Sequence, residues 1–336
     1  MQYKLLLYPH QNIRYRASLN KITKESLRLS LLMFGRETYI SDEQLGAGYF
    51  LNFETPQLSE KELRYLSQLA GVYMAFIEEN GALYPIDKKP CNYVPEDIAA
   101  LLKYKGKTNE MFTDAMVNIA LALSNFGNAF DQPLTVCDPL AGKGTSLMLA
   151  LMHGYNSLGI EISAKDIQET VGYLKRYFEY HRIKYKYSKN SLTVHGHQGG
   201  IEHKWNIANT NVEYKNGEFR SLKLICGDTR NASIFLGKES AHIMVADLPY
   251  GVQTGTAGKN ISIIQTIREA LPGWKTVLKT GGTLCISFNT YVTARADLIE
   301  LGLRSGFQHL ETKDLVHWVE QAINRDVLVF KKECVN

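Results

Sequence analysis

At 336 residues, with 45% hydrophobic and 21% charged residues, the chain has room for one large folded domain and a smaller one, and its composition excludes intrinsic disorder. Its five cysteines (Cys91, Cys137, Cys226, Cys285 and Cys334) are odd in number and hold no Cys-x-x-Cys pair, which argues against a disulfide framework or a zinc site and for a reducing, cytoplasmic setting. A net charge of +4 permits an anionic partner without demanding one.

The opening Met-Gln-Tyr-Lys-Leu-Leu-Leu-Tyr-Pro-His has an apolar run too short for a signal peptide or a membrane span, and no later run reaches eighteen apolar residues. No membrane association is expected. The cluster Arg14, Arg16, Lys21, Lys24, Arg28 and Arg36 reads as a solvated face or, more weakly, as an anion-binding surface. Residues 49–53 read as a strand, Ser59-Glu60-Lys61-Glu62 opens a helix, and the alternating stretch 72–86 turns at Asn80-Gly81. These pieces predict a small α+β domain over residues 1–94, a candidate RNA-binding module, closed by a linker at Lys88-Lys89-Pro90-Cys91-Asn92-Tyr93-Val94-Pro95.

Beyond it, apolar runs at 134–137, 157–160, 222–226, 243–246 and 283–288 alternate with helical patterns. That alternation predicts an α/β fold for residues 95–336, a doubly wound Rossmann-like sheet with helices on both faces. Residues 314–320 and 325–330 read as neighbouring strands forming an antiparallel edge.

The first of these strands leads into Cys137-Asp138-Pro139-Leu140-Ala141-Gly142-Lys143-Gly144-Thr145-Ser146. Gly142 and Gly144 allow a tight turn and a close approach to a ligand at the mouth of the sheet. Leu147 stands where a dinucleotide fingerprint has its third glycine, which disfavours an NAD-dependent oxidoreductase. Glu161 ends the second strand, nineteen residues after Gly142, placed to accept from ribose hydroxyls. Asp228 ends the third. A doubly wound topology would bring Asp138, Glu161 and Asp228 to one crevice, whereas the plainer reading makes each a cap for its following helix.

The fourth strand stops at Asp247-Leu248-Pro249-Tyr250-Gly251. A flat amino group conjugated to a ring needs acceptors for its two hydrogens, and the Asp247 side chain and Leu248 carbonyl can supply them. Pro249 stiffens the turn, and Tyr250 offers a face for an unstacked base.

Asp-Leu-Pro-Tyr-Gly, with Asp-Pro-Leu-Ala-Gly-Lys-Gly-Thr upstream, resembles the class I S-adenosylmethionine-dependent methyltransferases that modify amino groups of nucleic-acid bases. The resemblance is closest to the tRNA guanine-N2 methyltransferases acting on guanosine ten, and it covers about residues 105–331. It implies S-adenosyl-L-methionine as cofactor, tRNA as substrate and no metal, because the sulfonium is itself a strong electrophile. It implies catalytic roles for Asp247, Leu248, Pro249 and Tyr250. The cofactor site it implies comprises Asp138, Pro139, Gly142, Gly144, Thr145, Glu161, Ile162, Asp228, Thr229 and Asp247. Upstream, Lys105-Gly106-Lys107-Thr108-Asn109-Glu110-Met111-Phe112 resembles the family's segment holding the cofactor's methionine end, through Thr108 and Phe112. Leu248 departs from the commoner proline but keeps the backbone acceptor, and residues 1–95 show no recognisable RNA-capture pattern.

Between residues 175 and 223, ten basic residues face four acidic ones, with Tyr177, Tyr180, Tyr185 and Tyr187 among them. This basic insertion, about 182–221, reads as a nucleic-acid surface with stacking groups, or as a solvated helix face followed by a hairpin at Asn216-Gly217. His195, His197 and His203 read as loop residues, and the run 253–258 as a lid over a flipped base or an ordinary connection. Rival readings are a DNA adenine-N6 or cytosine-N4 methyltransferase, an rRNA methyltransferase, and a non-catalytic nucleic-acid-binding protein on the same scaffold.

Overall fold

The computed structural model describes residues 1–86, 92–104, 106–194, 196–249, 263–313 and 315–333. The amino-terminal region builds β1 (Gln2–Leu7), α1 (Ile13–Met33), β2 (Ile40–Leu45), β3 (Gly48–Glu54), α2 (Glu60–Ser67), β4 (Val72–Glu79) and β5 (Ala82–Pro85). Its strands form an antiparallel sheet in the order β2-β3-β1-β4-β5. The apolar run at the start of the chain is the central strand, with Tyr3, Leu5 and Leu7 alternating into the core. Helix α2 starts at a reciprocal cap: the Glu62 N–H donates to Ser59 Oγ and the Ser59 N–H to the Glu62 carboxylate, together worth about 1 kcal/mol. Asn80 and Gly81 both hold positive φ, 52° and 77°, as a two-residue type I′ turn requires.

The rest of the chain builds α3 (Glu110–Leu123), β6 (Thr135–Asp138), α4 (Thr145–Met152), β7 (Asn156–Glu161), α5 (Ala164–Tyr180), β8 (Lys184–Val194) and β9 (His197–Ala208). It continues with α6 (Asn211–Asn216), β10 (Arg220–Gly227), α7 (Ala232–Leu236), β11 (Ala241–Asp247), α8 (Ile263–Val277) and β12 (Leu278–Asn289). Last come α9 (Arg295–Arg304), β13 (Gln308–Leu310), β14 (His317–Glu320) and β15 (Ile323–Lys331). The sheet runs β13-β15-β12-β11-β6-β7-β10-β9-β8, and β14 pairs with β15. Strands β10, β7, β6, β11 and β12 are parallel. The fold is therefore the expected doubly wound α/β sheet. Its central strands are apolar on both faces for a physical reason: Ile243 and Val245 join one core with α3, while Met244 and Ala246 join another with α8.

Three expectations need correction, the first being that His197 and His203 lie in a loop, since both are on strand β9. The expected neighbours do pair antiparallel, β14 with β15, but β15 is not the edge: it lies between β12 and β13, and its residues 327–330 are buried accordingly. Asn216-Gly217 is not a hairpin turn: Thr210 and Glu213 form a capping box that starts α6, and Gly217, at φ 75°, ends it. The hairpin in this insertion is β8–β9, paired along its length and joined to β10 through β9. Residues 88–91 of the expected linker lie outside the described residues, but Tyr93 within it is buried, its hydroxyl donating to the Ile207 carbonyl at 3.0 Å.

A single apolar core runs from Leu27, Leu31 and Leu66 of the amino-terminal region to Ala115, Ile119 and Val136 of the larger sheet. At its centre the Ala70 N–H donates to Asn118 Oδ1 at 2.9 Å, and Asn118 is buried. Asn118→Ala would strand that buried N–H, at a cost of about 1–3 kcal/mol. A urea midpoint unchanged by the substitution would contradict this bond's role.

Candidate active site

Strand β6 has β7 on one side and β11 on the other, so successive crossovers leave it in opposite directions. Ligands of open α/β sheets bind in the crevice that such a switch leaves above the strand ends. Asp138 ends β6, Glu161 ends β7, Asp228 follows β10, and Asp247 ends β11. The loop between Asp138 and α4 turns through Gly142 and Gly144, at φ 51° and 79°. Leu147 also finds its explanation here: a Cβ added to Gly159 of β7 would stand 2.5 Å from Leu147 Cδ1. The glycine that lets helix and strand approach is on the strand, not on the helix.

Backbone donors organise the acids. Glu161 accepts from the Gly142 N–H at 2.9 Å and the Ser163 N–H at 2.7 Å, tying the end of β7 to the glycine loop. Asp138 accepts from the Leu140 N–H at 2.9 Å and from the Ser146 hydroxyl. Burial nonetheless raises Glu161 above the usual carboxylate range. Burial pushes Asp138 to about 7, with the charges of Asp247 and Glu161 adding to the effect. Asp138 thus feels the charges of both other acids, and a cationic group placed beside it would be stabilised.

Asp228 is held differently. Burial works to raise its carboxyl, but Arg230 outweighs it, with Nε 2.9 Å from Oδ2 and 3.0 Å from Oδ1, and keeps it below its ordinary range. The Arg230 N–H also donates to Asp228, so the plainer capping role is present as well. Pro139 is buried in the turn after β6, Thr145 begins α4, and Ile162 is 49% exposed beside Glu161. Thr229 faces away: its buried hydroxyl accepts from Trp274 Nε1 at 2.9 Å and braces α8.

At the other side of the crevice, the Leu248 N–H donates to the Ser287 carbonyl of β12 at 2.9 Å, fixing the start of the Asp247-Leu248-Pro249 turn. Tyr250 lies outside the described residues, as does the run 253–258. The Thr108 hydroxyl donates to Asp247 Oδ2 and accepts from Arg325 Nη2 at 3.3 Å. Phe112 is buried behind them, 4.3 Å from the Arg325 guanidinium. Arg325 and Tyr104 escape a reading of the sequence. Tyr104 places its hydroxyl 3.3 Å from Thr145 Oγ1 and feels the charges of Asp138 and Asp247. Arg325-Asp326 ahead of the apolar Val-Leu-Val-Phe is the signal for the first, since charges at the start of an interior strand need partners.

The basic insertion presents Lys184 and Lys186 to solvent and aligns Lys204 with Lys223 across β9 and β10. Its tyrosines are mostly structural. Tyr177 is buried on Asp97, Tyr185 packs on Phe178, and Tyr187 packs on Trp205 and bonds His203, leaving Tyr180 exposed. His195 lies outside the described residues.

No family model matches the chain, and no curated protein does. Among solved structures, TrmN from Thermus thermophilus is similar over 98% of this chain and 81% of its own, at 14% identity and a TM-score of 0.40. The rRNA methyltransferase aviRa from Streptomyces viridochromogenes is similar over 73% of this chain and 93% of its own, at 13% identity and a TM-score of 0.42. A TehB-like SAM-dependent methyltransferase from Corynebacterium glutamicum is similar over 60% of this chain and 81% of its own, at 14% identity and a TM-score of 0.36. Scores this low carry no weight for activity, and the fold assignment rests on the strand order.

The raised Asp138 carboxyl makes stability depend on pH. Its folded form retains a proton up to about 7 against about 4 when unfolded, so the contribution is full below pH ~4 and is lost as pH rises through ~7. Asp138→Asn should therefore gain on the unsubstituted chain as pH rises from about 4 to about 7. Thermal melts of both proteins across that window check this, and a difference in Tm that stays flat or shrinks would sink it.

Proposed function

We propose that this chain is an S-adenosyl-L-methionine-dependent methyltransferase acting on an exocyclic amino group of a nucleic-acid base, guanine N2 of tRNA being the preferred substrate. The observation that carries the reading is the meeting of Asp138, Glu161 and Asp247 at the switch point, with Asp247 held by Thr108. The residues suit the cofactor chemically. An anionic crevice accommodates a molecule bearing sulfonium and ammonium charges, Glu161 suits ribose hydroxyls, Asp228 an adenine amino group, and the exposed Ile162 an adenine face. When bound, S-adenosyl-L-methionine supplies an electrophilic methyl group.

The chain's own residues do the rest by alignment. Asp247 and the Leu248 carbonyl accept the two hydrogens of the substrate amine, which turns the nitrogen toward the crevice. Thr108 and, through it, Arg325 restrict the Asp247 rotamer, so less freedom is lost when substrate arrives. The preference for guanine N2 in tRNA is supported by the likeness of the Asp-Leu-Pro-Tyr-Gly turn and the glycine loop to that family, and the basic insertion suits a polyanion.

Asp247→Ala should lower turnover by roughly a hundredfold or more while leaving cofactor affinity nearly intact. Transfer of a labelled methyl group onto tRNA, rRNA and DNA, with nucleoside analysis of each product, identifies the acceptor. Undiminished transfer by the variant would remove Asp247 from the mechanism. Asp228→Ala should instead weaken cofactor binding by about tenfold or more, the loss of a charged hydrogen bond, and calorimetry reads it directly.

A further inference from the structure

The crevice is bordered by a surface that the catalytic reading does not use. Trp318 lies on β14 opposite Asn324, the neighbour of Arg325, which bonds Thr108 beside Asp247. Of the chain's three tryptophans, Trp205 and Trp274 are fully buried and Trp318 is 39% exposed. The Arg14 guanidinium of α1 sits over the Trp318 ring, 5.0 Å from its centroid. Helix α1 packs against β14, which brings its start toward the same crevice. Tyr291, in the turn after β12, is 63% exposed.

The helix dipole works against this arrangement. The first turn of α1 carries Arg14 and Arg16 and no acid, which opposes the helix dipole. Arg16 lies over Tyr49, 5.9 Å from its centroid, repeating the pairing of a cation with an aromatic ring. Exposed aromatic faces interleaved with guanidinium groups are the chemistry that grips an unpaired nucleic-acid strand: bases stack on rings and guanidinium planes, and phosphates pair with the charge. The tyrosines of the basic insertion, by contrast, are mostly packed inward.

We propose that the start of α1 and strand β14 form the docking surface for the RNA strand flanking the acceptor base, with a neighbouring base stacked against the Trp318–Arg14 pair. This rests on the reading of the chain as an RNA methyltransferase. The amino-terminal region thereby serves substrate recognition at the mouth of the site.

Tryptophan emission tests it, because Trp318 is the exposed reporter. Titrating cofactor-free protein with unmodified tRNA and rRNA transcripts should quench emission. Trp318→Phe should abolish the quench while binding within about threefold, and Trp318→Ala or Arg14→Glu should weaken RNA binding about tenfold or more with cofactor affinity unchanged. RNA binding with unaltered emission, or full affinity in Trp318→Ala, overturns the surface and leaves the methyltransferase reading standing. A change in sedimentation of the RNA-free chain on Trp318→Ala would show a self-association face, and likewise overturns it. Absence of both RNA binding and methyl transfer defeats the two readings together.

Discussion

Everything in the larger sheet is organised by the position of β6 between two strands that run the same way. That placement opens a crevice above its end, and the carboxylates terminating β6, β7 and β11 lie around it. Mutual repulsion there is tolerated because backbone N–H groups of Gly142, Ser163 and Leu140 hold two of the acids in place. The crevice is preorganised for positive charge at some expense in folding stability, as functional sites commonly are.

Much of this was readable from residue order alone. Strands buried on both faces announce themselves as unbroken apolar runs, and acids at their ends mark the crevice side, so the parallel core and the acids of the glycine loop follow from pattern. The Asn80-Gly81 turn and the Ser59 cap follow from local chemistry, which needs no tertiary context. What pattern could not supply were features decided across the sheet. Strand β1 is short and looks like a stray apolar run until two neighbours flank it. Helix α1 was obscured because its charged residues occupy a stretch whose buried side includes Thr23, Glu25 and Ser30. Asn216-Gly217 reads locally as a hairpin turn, but the capping box before it starts a helix that Gly217 ends. Tyr104 acts through a partner more than forty residues away, a separation that no local rule registers, and Arg325 leaves in the sequence only its place ahead of an apolar run.

The two sheets are not independent modules joined by a tether, since apolar side chains of both form one core around α3. Packing α1 on one side of α3 and the parallel strands on the other makes the amino-terminal region part of the scaffold that positions Thr108 and Phe112. A substitution far from the crevice can therefore reach it through α3, because close-packed interiors transmit strain rather than absorb it.

The β8–β9 hairpin has one more effect, unrelated to ligands. By pairing with β10 it removes a hydrophobic parallel strand from the border of the sheet and puts β8 there instead. The new border carries Lys184, Lys186 and Lys189, all exposed, and lysine-rich margins resist pairing with strands of other molecules. The insertion thus doubles as a guard against aggregation, letting an otherwise sticky parallel sheet end safely in water.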